Sequence, residues 1–262
     1  MSDETGAGAK AAKGSVTIIG LGPGDPRLLT ESARAALDRA QDLIGYIPYV
    51  ARVPEREGLV RHASDNRVEV DRARHALELA MSGRHVAVVS GGDPGVFAMA
   101  AAVFEAVEQG PADWRNLTIE VEPGITAMLA AAARLGAPLG GDFCAISLSD
   151  NLKPWDVVTA RLEAVLRAGL SVALYNPISS ARPWQLGRAL ALAAEILPLT
   201  TPVIFARAVT RPDEALRVLT LDEARTAPAD MATMVIIGAP TTRLIERDGR
   251  LPFVYTPRSV TA

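Results

Sequence analysis

The sequence predicts an α/β protein of two domains, with a mostly parallel sheet in the first and a mixed sheet in the second. Three observations carry this. Up to about residue 122, short β-branched runs alternate with longer Ala/Leu/Arg segments of helical period, the pattern of a parallel sheet covered by helices. After that point six strand-like segments share only two long helical ones, and the last three strands lack room for a long helix in each gap, which favours antiparallel pairing. The chain has 262 residues, 49% of them apolar, enough for one large core or two smaller ones.

Val16 to Ile19 reads as the first strand, and Glu31 to Gln41 as a helix with Thr30 at its N-cap. Asp42 to Ile44 looks like a second strand. Arg67 to Met81 is amphipathic and is ended by Gly83. His85 to Val89 is a strand followed by a helix over Val96 to Glu108. Leu117 to Val121 is a strand, and Ile125 to Arg134 a helix after Pro123-Gly124. In the second half the expected strands are Phe143 to Ser147, Ser171 to Tyr175, Pro202 to Ala206, Ala215 to Leu219, Met234 to Ile237 and Phe253 to Tyr255. The helices lie over Asp156 to Arg167 and Pro183 to Ile196. The boundary is placed near Glu122-Pro123, giving domains of residues 14–122 and 123–262. Residues 1–13 are small and polar with no apolar core, and read as a disordered tail rather than a signal peptide.

A net charge of −3 disfavours a general nucleic-acid binder, which is usually clearly basic. The lone Cys144 excludes a disulfide framework within the chain and fits a reducing cytosol. No window approaches 18 consecutive apolar residues, so no membrane partner is expected. His62, His75 and His85 do not share metal-ligand spacing with each other or with Cys144, so no metal is expected.

Three strand ends carry glycine, proline and an acid. GLGPGDP (20–26) follows the first strand, SGGDPGVF (90–97) follows the strand that begins at His85, and EPGITA (122–127) opens a helix. Glycines at the carboxyl end of a strand permit positive φ and let a ligand approach the backbone. The first stretch looks superficially like a dinucleotide fingerprint. Its spacing is G-x-G-x-G, however, and Pro23 and Pro26 remove two amide donors that a phosphate cradle would use. A ligand without phosphates is the favoured reading, and a plain turn the alternative. Since ligands collect at the carboxyl ends of parallel strands, the three ends together describe a pocket rich in backbone groups and short of basic side chains. An amino-acid head, a ribose and an adenine suit such walls, as in S-adenosylmethionine.

Together with FCAISLSDNLKPW and ALYNP, these stretches resemble the tetrapyrrole methyltransferase family in order and spacing, over about residues 14–255. Within the family GYIPYV (45–50), HASDNRVEVDRA (62–73) and SLSDNLKPW (147–155) are most similar to members acting on carbon 17 of precorrin-3B. The resemblance implies a two-domain fold with S-adenosylmethionine in the cleft between domains and a homodimeric assembly. It implies a cytoplasmic enzyme of cobalamin biosynthesis that methylates precorrin-3B and contracts its ring to precorrin-4, releasing S-adenosylhomocysteine. Carried over residue by residue, the cofactor site is Pro23; Gly92, Asp93, Val96 and Phe97; Thr126 and Ala127; Tyr175 and Asn176; then Ala208, Val209 and Gly238. Gly92 would keep bulk away from the cofactor, and Asp93 would accept from its ammonium or ribose. Helix capping for Asp93, a first-turn helix role for Thr126 and a turn at Asn176-Pro177 remain the structural alternatives.

Methyl transfer from a sulfonium needs in-line approach and desolvation, whereas ring contraction also needs a proton acceptor. Asp150 is the first candidate for that proton, with Lys153 beside it and Ser147 or Ser149 as donors. Tyr46 and Tyr49 would stack on the macrocycle or donate to it. Arg52, Arg67 and Lys153 would meet the substrate carboxylates. The alternatives are a polar capping loop at 147–155, core or interface aromatics, and a solvated helix start at Arg67. One departure stands out: the family commonly has His after PLG, where this chain has Gly141. Rival readings are a methylase acting on a cobalt-precorrin, on RNA or on protein, a NAD-dependent oxidoreductase, and a non-catalytic tetrapyrrole binder.

Overall fold

The computed structural model describes residues 14–65, 68–179 and 181–259. The tail assigned to residues 1–13 and the carboxylate-binding role assigned to Arg67 lie outside them. The chain divides into two units, residues 14–22 with Pro26–Ile125, and Pro23–Asp25 with residues 126–259.

The first unit runs β1 (Ser15–Gly20), α1 (Glu31–Arg39), β2 (Asp42–Tyr46), α2 (Ile47–Val50), β3 (Val60–Ser64), α3 (Glu69–Met81), β4 (His85–Ser90), α4 (Met99–Gln109) and β5 (Thr118–Glu122). Its five strands pair parallel throughout in the order β3-β2-β4-β1-β5. Alternation sends Val16, Ile18, Ile44, Val86 and Val88 to a core shared with α3 and α4. Ile19, Leu43, Ala87 and Val89 pack on the other face against α1. Both faces are covered, which is why these strands read as unbroken apolar runs. Thr30 caps α1 by accepting from the Ala33 amide at 3.2 Å.

Two expectations need adjustment here. The helix after β4 begins at Met99 rather than Val96, because Phe97 takes a left-handed φ of 53° that no helix tolerates. β3 was not anticipated, since its Arg-His-Ala-Ser core lacks an apolar alternation and it forms an edge.

The second unit runs α5 (Ala127–Leu135), β6 (Gly136–Ala137), β7 (Phe143–Ser147), α6 (Trp155–Arg167), β8 (Ser171–Tyr175), α7 (Gln185–Ile196), β9 (Pro202–Arg207), β10 (Ala215–Thr220), α8 (Leu221–Ala224), β11 (Thr233–Ile237), β12 (Arg243–Arg247) and β13 (Arg250–Tyr255). Its main sheet has the order β10-β9-β11-β8-β7. β7 and β8 are parallel, while β11 runs antiparallel to both β8 and β9, so the sheet is mixed. Val172, Leu174, Val203, Phe205, Val235 and Ile237 face α6, α7 and α8 to form one core. The strand expected at Phe253 to Tyr255 does not join this sheet. It extends to Arg250, pairs with the unanticipated β12, and meets β6 through Val254↔Gly136, making a separate three-stranded sheet.

Candidate active site

In the first unit the three glycine-bearing strand ends touch. The Gly22 amide donates to the Gly92 carbonyl at 3.1 Å, and Gly92 returns the bond to Gly22 at 2.9 Å. A Cβ on Gly20 would stand 2.7 Å from the Gly92 oxygen, and one on Gly124 only 2.2 Å from it. No side chain fits at either place, since the obstacle is backbone. Gly92 itself has φ 66°, open to glycine at little cost. Asp93 ties the loops: Oδ1 accepts from the Gly95 amide at 2.8 Å and Oδ2 from the Gly124 amide at 3.0 Å. Its carboxylate thus bonds a turn and the β5 exit, not a helix cap. Each oxygen retains a lone pair for a further donor.

Tyr46, at the end of β2, and Tyr49, in α2, stand edge to face at 5.5 Å between centroids. A Cβ on Gly91 would come 2.7 Å from the Tyr49 ring, so that glycine makes room for the aromatic. Arg52 was expected to meet substrate carboxylates. Its Nη2 instead donates to the carbonyls of Leu21 at 2.7 Å and Gly22 at 3.0 Å, which braces the first glycine turn. Phe97 is half exposed and Val96 partly so; neither is a core residue.

In the second unit β7, β8 and β9 share one direction, so their carboxyl ends lie at one edge. Tyr175 ends β8. Its hydroxyl shares a hydrogen bond with Thr126 Oγ1 at 2.5 Å and accepts from the Met128 amide at 3.2 Å. Thr126 is the N-cap residue of α5 but makes no cap bond with its own side chain. The tyrosine from β8 takes over that task and holds Thr126-Ala127 in place. We predict that Tyr175→Phe weakens S-adenosylhomocysteine binding by roughly tenfold, since one hydrogen bond is worth about 1 kcal/mol and an orphaned amide somewhat more. Isothermal calorimetry checks this; unchanged affinity means the cap does not reach the ligand.

Asn176, directly after β8, has φ 50° and donates through Nδ2 to Ser147 Oγ at 3.0 Å. Buried Ser147 also accepts from the Ser149 amide at 3.3 Å, so it ties two loops rather than facing outward. Ala208 (φ 47°) and Thr210 (φ 66°) bracket Val209 beyond β9. The turn is held by the Ala208 amide on Ala232 O at 2.9 Å and the Thr210 amide on Glu214 at 2.5 Å. Thr210 Oγ1 accepts from the Asp25 amide at 3.1 Å, and Arg211 Nε donates to Pro23 O at 3.4 Å. Pro23 therefore sits beside the 208–211 turn. Among the described residues, four non-glycine positions have positive φ: Phe97, Asn176, Ala208 and Thr210. Three are cofactor candidates and the fourth adjoins Val209. Left-handed backbone costs such residues about 1 kcal/mol each, and strain of this kind gathers at functional sites.

Gly238 must be corrected. It follows β11, which runs antiparallel to β8 with Ile237 opposite Val172, and so lies at the other edge of the sheet from Tyr175 and Ala208. Its missing side chain has a packing reason, since a Cβ would stand 2.8 Å from Thr242 Cβ. At Gly141 a Cβ would come 3.0 Å from Thr256 Cγ2, so a side chain there requires the Thr256 methyl to shift.

Asp150 and Lys153 lie in the loop after β7. Asp150 Oδ1 forms an ion pair with Arg182 Nε at 2.7 Å and accepts a hydrogen bond from Gln185 Nε2 at 3.0 Å. Burial, with the nearby charge of Arg161 second, pushes the Lys153 ammonium below its ordinary value. The Ser149 hydroxyl accepts a long bond from the Asn151 amide at 3.5 Å. Sequence reasoning missed Arg182 and Gln185; the only local sign was an arginine in an otherwise small-residue loop.

A family model described as Tetrapyrrole (Corrin/Porphyrin) Methylases matches residues 15–225. The chain belongs to this family. Among tetrapyrrole methylases, it is 57% identical to a precorrin-3B C(17)-methyltransferase of Sinorhizobium sp, over 94% of this chain and 96% of that one. The crystal structure of the methyltransferase CobJ matches with a TM-score of 0.87 and 53% identity, covering 93% of this chain and 100% of that one. A Thermus thermophilus uroporphyrin-III C-methyl transferase, complexed with S-adenyl homocysteine, shares the fold at 21% identity and a TM-score of 0.64, over 86% and 92% of the two chains. Both strand-end clusters fall within the part of the chain that matches the family, whereas β11 to β13 follow it. Among the described residues of this methylase, no helix is long and apolar enough to cross a membrane, and no group of three His, Cys, Asp or Glu is placed to hold a metal.

Proposed function

We propose that the chain methylates carbon 17 of precorrin-3B from S-adenosylmethionine and contracts the ring to precorrin-4, as an enzyme of cobalamin biosynthesis. The observation that carries this reading is near-full-length similarity to a precorrin-3B C(17)-methyltransferase. The residues fit the methyl donor. Gly92, Asp93 and Gly124 offer backbone and a carboxylate; Thr126, Asn176, Ala208 and the Pro23 segment offer backbone and small polar groups. Each of these two sets, taken within its own unit, suits a zwitterion without phosphates.

The cofactor, when bound, supplies an electrophilic methyl group. The protein's part is positional. Asp93 holds the β4 and β5 exits together and keeps lone pairs for an ammonium or ribose hydroxyl. Tyr175 orders the start of α5, and Arg52 fixes the first glycine turn. Tyr46 and Tyr49 present aromatic surface to a macrocycle, and desolvated Lys153 a cation that loses its proton more readily than usual. A second copy of the chain and a cytoplasmic setting complete this reading.

Anaerobic incubation with precorrin-3B and methyl-labelled S-adenosylmethionine, read by mass spectrometry and absorbance, tests it. The expected result is one labelled methyl and the spectrum of a ring-contracted product. Label entering only a cobalt-bearing substrate overturns the metal-free reading, and tetrapyrrole binding without label overturns catalysis.

A further inference from the structure

The loops after β7 and β8 leave neighbouring, parallel strands and stay connected beyond them. Ser147 and Asn176 join them at the strand ends. Three residues farther on, Asp150 Oδ1 forms an ion pair with Arg182 Nε at 2.7 Å and accepts a hydrogen bond from Gln185 Nε2 at 3.0 Å. Gln185 opens α7 and is 2% exposed, so this second partner is fixed by the core. Trp155 and Trp184, at the starts of α6 and α7, meet edge to face at 4.9 Å and clamp the same two loops. The backbones of Ser179 and Arg182 exchange hydrogen bonds at 3.3 and 3.0 Å. Arg182 is therefore held from its backbone and from Nε. Its Nη1 and Nη2 donate to no described residue.

A half-buried guanidinium with five donors is an expensive way to satisfy one carboxylate oxygen that a buried glutamine already meets. The fork makes sense if its outer edge has another acceptor. Local charge points the same way. Residues 148–161 and 176–188 carry four cations, Lys153, Arg161, Arg182 and Arg188, against two anions, Asp150 and Asp156, in a chain of net charge −3. A ligand bearing several carboxylates matches this surplus.

We propose that Arg182 binds a peripheral carboxylate of the tetrapyrrole through its Nη edge, and that Asp150 is the positioning residue that aims it, not the proton acceptor of ring contraction. The inference rests on the substrate class proposed above. Asn176, at the strained exit of β8, precedes Arg182 by six residues in the sequence, so the proposed cofactor contact and substrate contact follow the same strand.

The test is anaerobic steady-state methylation of precorrin-3B by the wild type, Arg182→Gln, Asp150→Asn and the double variant, with S-adenosylhomocysteine affinity measured for each. Arg182→Gln is expected to raise KM for precorrin-3B about tenfold, as for loss of a charge-assisted contact, with cofactor affinity unchanged. Asp150→Asn should raise KM by about threefold and leave the pH profile of kcat in place, as expected of a group acting through another. The double variant should match Arg182→Gln, because Asp150 works only through it. An unaltered KM in Arg182→Gln overturns the proposal. So does an Asp150→Asn variant whose kcat collapses at saturating substrate with loss of one pH limb, which marks a proton acceptor. If Asp150→Asn fails to fold, the KM of Arg182→Gln still decides. A wild-type chain that leaves precorrin-3B unmethylated overturns the proposed function and this inference with it.

Discussion

Gly124→Ala is expected to abolish S-adenosylhomocysteine binding and to destabilise the first unit. The new methyl would stand 2.2 Å from the Gly92 carbonyl oxygen and 3.0 Å from Gly20 Cα. All of these are backbone atoms, so relief requires strand ends to separate rather than a side chain to turn. Overpacking against backbone costs about 3 kcal/mol or more. Separation also breaks the Gly124-to-Asp93 bond that joins the β4 and β5 exits. Affinity should fall by at least about a hundredfold, the equivalent of roughly 2.7 kcal/mol. Gly187→Ala is the matched control: it lies in α7 with nothing within 4 Å of the added methyl. That change should stabilise by about 0.5–1 kcal/mol and spare binding. Urea unfolding with calorimetric titration distinguishes them, and equal behaviour of the two variants would remove the glycine contact from the site.

Asp42→Asn is expected to cost about 2–4 kcal/mol and to flatten the acid dependence of stability. Asp42 begins β2 with a side chain 2% exposed, bonded to His62 Nε2 at 2.8 Å and to Arg84 Nε. Burial raises its pKa, but the hydrogen bonds and charges of Arg84 and His62 outweigh burial, and the net direction is down. A carboxyl with a lowered folded pKa binds fewer protons folded than unfolded. Its stabilisation is complete above the unfolded value near 4 and is lost as pH falls through the folded value. The asparagine variant lacks this dependence. Unfolding free energies from pH 3 to 7 should converge for the two proteins at the acid end. Parallel curves would sink the assignment. S-adenosylhomocysteine affinity should stay unchanged above pH 6, since Asp42 opens its strand and the cofactor candidates follow strand ends.

Much of the candidate site's local geometry was legible because its signals are local. SGGDPGVF advertised a turn that only glycine could line, and Gly92 adopts the positive φ it offered. Asp93 was singled out by charge, although which amides it would meet depends on the β5 exit, 31 residues away. Tyr175 was named for its place after ALY, but not for capping a helix that starts 48 residues earlier. Asp150 invited a proton-handling role as the lone acid in a polar loop. Its pairing with Arg182 and Gln185 could be seen only once two loops met. Gly238 misled because a glycine after an apolar run looks the same at either edge of a sheet.

By itself the sequence determined the α/β alternation, the parallel first sheet and the three glycine-bearing strand ends, each from periodicity and turn chemistry acting over a few residues. The family came from the resemblance of several separate stretches taken together. Tertiary structure alone decided that β11 inserts between β8 and β9, that β13 leaves the main sheet, and that Arg52, Tyr175 and Arg182 reach their partners. Strand order and long-range side-chain pairing depend on how a whole core closes. No short stretch of sequence contains that information.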